Sequence, residues 1–75
     1  MNDLRKEVLI SNLKNSLKYK VKNNNDIIDI LYDDIEYCYT NKERKFYLKR
    51  IDYFKNKNEI ILDLINDINY YYKKH

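Results

Sequence analysis

Apolar residues recur along this chain at three- and four-residue intervals, the spacing of helices with one buried face. Leu4, Val8, Ile10, Leu13, Leu17 and Val21 draw such a face and predict a first helix over about residues 3–22. Three consecutive asparagines, Asn23, Asn24 and Asn25, then make the clearest interruption of the pattern. Ile28, Leu31, Ile35 and Cys38, widened by Ile27 and Ile30, predict a second helix over about 26–39, with Asp26 placed to suit the positive end of its dipole.

Thr40-Asn41-Lys42-Glu43 has the S/T-x-x-E form of a capping box and marks the start of a third helix. From there Tyr47, Ile51, Phe54, Asn58, Ile61, Ile65, Ile68 and Tyr72 step alternately by four and three, a heptad seam with one polar member. One helix over 41–73 is the direct reading; a break near Asn58, with residues 56–59 capping a fourth helix, is the alternative. The expected fold is therefore all-α: one domain over 1–75, a small three-helix bundle with a long third helix. An asparagine in the seam can specify a coiled-coil dimer. In a parallel twin, however, Arg50 would face Lys55, and Leu62 and Leu64 widen the seam beyond what two strands need. Packing on the chain's own first helices is favoured over a homodimer.

Composition changes how these residues are weighed. The chain has no Gly, Pro, Ala or Trp, whereas Lys, Asn, Ile and Tyr abound, the codon signature of an AT-rich genome. Individual lysines and tyrosines therefore carry less meaning than usual. Without Gly or Pro, turns are expected at asparagines, which tolerate left-handed conformations. A lone cysteine, Cys38, leaves no intrachain disulfide and is expected to pack as a small core hydrophobe. The longest apolar runs, 8–10 and 60–62, are far short of the roughly 20 residues a membrane span needs. No basic segment followed by an apolar stretch opens the chain. The expected location is the cytoplasm of a bacterium or of an infected host cell, with no membrane partner.

The catalytic inventory is thin. No Gly-rich phosphate loop can form, and no E-x-x-H or C-x-x-C occurs. The only histidine is His75, remote in sequence from Ser11 and Ser16. No enzyme, cofactor or metal site is expected.

Charge is segregated. Residues 23–40 carry five acidic and no basic groups, and residues 41–58 carry seven basic and two acidic. Asp26, Asp29, Asp33 and Glu36 form one helical row, and Lys42, Lys45 and Lys49, flanked by Arg44 and Arg50, form another. Such rows commonly serve only as solvated faces. As functional surfaces they suggest three readings. The leading one is a non-enzymatic protein-binding module, an inhibitor or regulator of a larger protein or nucleoprotein complex. An anti-CRISPR of phage type would be one example, its carboxylate row occupying a basic nucleic-acid channel. Tyr32, Tyr37, Tyr39 and Tyr53, off the core stripes, would serve as contact anchors. The second is a helix-turn-helix-like nucleic-acid binder that places Lys42, Lys45 and Lys49 in the major groove, with Arg44 and Arg50 on phosphates. The third is a self-assembling coiled coil.

Overall fold

The computed structural model describes residues 2–73. They form two long helices, α1 (Asn2–Glu36) and α2 (Asn41–Lys73), folded back on each other as a hairpin. The molecule measures 60 × 16 × 11 Å. Its radius of gyration, 17.4 Å, exceeds the value of about 11 Å for a compact chain of this length.

The all-α class holds, but the three-helix bundle does not. The helices expected over 3–22 and 26–39 are one element, running straight through Asn23, Asn24 and Asn25. The reason is that asparagine is a poor helix former rather than a breaker. Three of them cost at most about 2 kcal/mol relative to alanine. Neither Gly nor Pro adds to that cost. Against it stand the seam on either side of the triplet and a specific polar contact within it. Asn24 Nδ2 donates to Asn58 Oδ1 at 2.9 Å, and Asn58 Nδ2 donates to Asn25 Oδ1 at 3.0 Å. Asn58 is 8% exposed, with both ends of its amide satisfied. Continuity also matches lengths. A 33-residue α2 presents a seam about 50 Å long. A first helix of 20 residues would cover only about 30 Å of it.

On α1 the contact row is Ile10, Lys14, Leu17, Val21, Asn24, Ile28, Leu31 and Ile35, continued into the turn by Cys38, each at least partly buried. It steps by four and three throughout, like its partner row on α2. Leu4, Val8 and Leu13, expected on the first apolar face, are exposed instead. Lys14 occupies a seam position and carries its ammonium to Asn69 Oδ1 at 3.0 Å. The α2 seam is as its spacing indicates: Ile51, Asn58 and Ile65 are buried and Tyr47, Phe54, Ile61 and Ile68 are partly so, with Tyr72 exposed at the end. The tightest packing lies toward the turn, where Ile28, Leu31 and Ile51 meet under Ile35, Tyr47 and Phe54.

The turn needs no left-handed residue; none has positive φ among the described residues. α1 closes with two tight bonds, from the Tyr37 amide to the Asp34 carbonyl and from the Cys38 amide to the Ile35 carbonyl, both 3.1 Å. The Cys38 thiol lies 3.5 Å from the Asp34 carbonyl, half-buried in the bend. Thr40 caps α2: its Oγ1 accepts from the Glu43 amide at 3.1 Å.

Replacing Asn58 by alanine should strand the amide of Asn24 in the seam and release that of Asn25 to water. The expected loss is about 1–3 kcal/mol of stability, read as a lowered midpoint of thermal or urea unfolding by circular dichroism. An unchanged midpoint would show that the asparagine contact contributes nothing.

Candidate interaction surfaces

A two-helix hairpin can bury one stripe of each helix, and everything else faces outward. The outward surface divides into two flanks, on either side of the seam, and two outer faces. The residues immediately preceding each seam residue form one flank. On α1 it carries Leu9, Leu13, Ile27, Ile30 and Tyr37, and on α2 Phe46, Tyr53, Ile60, Leu64 and Tyr71. The two rows adjoin: Lys20 and Asn23 line one groove with Lys57 and Ile60. All ten of these large apolar side chains are exposed, Ile30 at 59% and Ile60 at 68%. The opposite flank, formed by residues following the seam, carries six: Leu4, Val8, Tyr32, Tyr39, Leu48 and Leu62. Its remaining positions, such as Asn15, Lys18, Lys22, Asp29, Asp52 and Glu59, are polar.

Parts of both flanks are screened by cations. Arg50 lies over the Phe46 ring at 5.8 Å and Lys57 over Tyr53 at 4.6 Å. On the polar flank Lys55 sits over the Tyr32 ring at 5.4 Å and donates to its hydroxyl at 2.9 Å. That hydrogen bond, with the nearby Asp52 adding to it, holds the Lys55 ammonium above its ordinary pKa. Tyr32 is thus tied to α2 across the hairpin, whereas Tyr37 and Tyr39, 79% and 98% exposed, are the most open aromatic rings of the turn.

The charged rows run along the outer faces and, at Asp29 and Glu36, along the polar flank. Asp26, Asp29, Asp33 and Glu36 are all exposed along the turn-proximal half of α1. Lys42, Arg44, Lys45, Lys49 and Arg50 are all exposed on the first turns of α2. The hairpin brings both sets to the same end of the molecule. Arg50 alone of the basic set belongs to the apolar flank. At the open end Lys6 lies over the Tyr72 ring at 5.7 Å, and Tyr70, Tyr71 and Tyr72 are exposed. His75 and Lys74 lie outside the described residues.

No group of three or more His, Cys, Asp or Glu side chains comes together to hold a metal ion among the described residues. No helix there is long and apolar enough to cross a membrane. The apolar flank was not singled out by the sequence reading. Leu13, Ile27 and Ile30 are core or core-widening positions by spacing alone, and only the phase of the continuous seam turns them outward. No family model, curated protein or solved structure matches the chain.

The Tyr32–Lys55 contact makes a spectroscopic prediction. Tyr32→Phe keeps the ring and removes the acceptor, so the Lys55 pKa should fall toward its ordinary value. NMR titration of the lysine side chains checks this; an unmoved Lys55 would mean that the hydrogen bond does not persist.

Proposed function

We propose that this chain is a non-enzymatic protein-binding module, a helical hairpin that regulates or inhibits a larger complex. The observation that supports this most is the apolar flank. Scattered exposed apolar residues are ordinary, but a flank with ten of them on two adjacent rows marks a contact surface. Leu, Ile and aromatic side chains placed on a rigid helical pair lose little conformational entropy on contact, and Tyr and Phe bury large areas.

The outer acidic row supports a partner with a basic channel. Asp26, Asp29, Asp33 and Glu36 stand about one turn apart on a helix, so their carboxylates present a spaced series of anions to Lys and Arg. The basic row on α2 favours nucleic acid as the second reading. It is weakened by geometry: α2 runs back along α1 through its whole length, so its seam is occupied and only its outer face is open to a groove.

Affinity capture with tagged protein, with and without nuclease, separates these readings. One protein recovered at near-equal stoichiometry and unaffected by nuclease is the expected result. Asp29→Lys with Asp33→Lys should reduce that recovery at least tenfold if the carboxylates make the contact, about 1.4 kcal/mol or more. Recovery that collapses on nuclease treatment would overturn the protein-binding reading in favour of nucleic acid.

A further inference from the structure

We infer that the apolar flank is covered by a second copy of this chain, so that the working unit is a four-helix bundle of two hairpins. The inference rests on reading that flank as a protein-contact surface, and it names the occupant.

Area supplies the first argument. The chain exposes 6690 Å². A compact monomer of 9.4 kDa exposes about 5,000 Å². The excess, about 1,700 Å² per chain, falls within the range of about 1,000–2,500 Å² that each partner of an obligate dimer buries. The hairpin's own core is correspondingly slight. Among the described residues Leu17, Ile28, Leu31, Ile51 and Ile65 are its buried apolar side chains, and of these only Ile51 is fully enclosed.

Charge supplies the second argument, and it points to a copy rather than a stranger. Two hairpins can meet flank to flank about a two-fold axis along their length, with turns at the same end. Each α1 then lies over the partner's α2. Within the flank the charge of the 23–40 stretch is Asp34 and the charges of the 41–58 stretch are Arg50 and Lys57, so unlike charges face one another across it, while Asp26, Asp29, Asp33 and Glu36 lie off it. The two acidic halves sit on the diagonal, as do the two basic halves. Asp34 of α1 lies at the level of the partner's Arg50. The reverse two-fold, with turns at opposite ends, places Lys20 near its own copy at the centre of the overlap. This dimer leaves the intrachain seam intact and so avoids the Arg50–Lys55 clash of a parallel two-stranded coil. It also leaves the Asp26–Glu36 outer row open to a further partner.

The test is solution mass and a distance. Light scattering coupled to gel filtration should give twice 9.4 kDa, and the thermal midpoint should rise with protein concentration. Ile30→Asp with Ile60→Asp changes two residues exposed in the hairpin, so it should halve the mass; if it unfolds the chain instead, the wild-type concentration dependence still decides. A spin label on the single cysteine, Cys38, reports direction. The label-to-label distance should be under about 30 Å with turns together, whereas turns apart would place it near the 60 Å length of the molecule. A folded monomer at about 200 µM with a concentration-independent midpoint overturns the proposal. A long Cys38–Cys38 distance overturns the arrangement. A monomer that still captures one stoichiometric protein would remove the second copy and leave the binding module; a dimer that captures nothing would do the reverse.

Discussion

The whole structure depends on one polar layer in the middle of an otherwise apolar seam. Asn58 enters from α2 and is gripped by Asn24 and Asn25 of α1, donating to one and accepting from the other. A buried amide left unpaired would cost about 1–3 kcal/mol, so the layer is satisfied in only one register. Sliding either helix by one heptad would place Asn58 against Leu17 or Leu31 and leave it without partners. The asparagines thus do two jobs: they allow α1 to continue, and they fix where α2 lies against it.

That continuity determines what remains outside. A bundle of three helices would have buried two stripes of the long helix and much of the first. The hairpin buries one stripe of each and leaves ten large apolar side chains along a single flank. Cation–π contacts from Arg50 and Lys57 screen two of the rings without removing the surface from water. The two outer faces carry opposite charge at the turn end, because the acidic stretch 23–40 and the basic stretch 41–58 are joined by the turn and must lie side by side. Apolar flank and charged faces are therefore separate surfaces, able to serve separate contacts.

The long second helix was legible in the sequence because its stepping never falters: Asn58 is polar, yet it occupies a regular place between Phe54 and Ile61. Thr40 and Glu43 marked its start. The first helix was misread by the same rule applied to apolar residues alone. Lys14 follows Ile10 by four and precedes Leu17 by three. Asn24 follows Val21 by three and precedes Ile28 by four. Counting these two as seam members would have joined the halves and corrected the phase. Reading them as polar assigned Leu4, Val8 and Leu13 to the core and hid the flank. The charged rows were visible because they need only helical spacing. The apolar flank needed the phase of α1, and that is set by a contact between residues 34 apart in sequence.

The central claim, that α1 runs unbroken through its three asparagines, is tested most directly by the distance between its ends. Labels on Arg5→Cys and Cys38, read by spin-label or fluorescence methods with labelled chains diluted among unlabelled ones, span 33 residues of chain. A continuous helix places them about 50 Å apart, and that is the result this account predicts. A distance under about 25 Å would mean that the chain folds back at Asn23, Asn24 and Asn25 as in a three-helix bundle, and would contradict it.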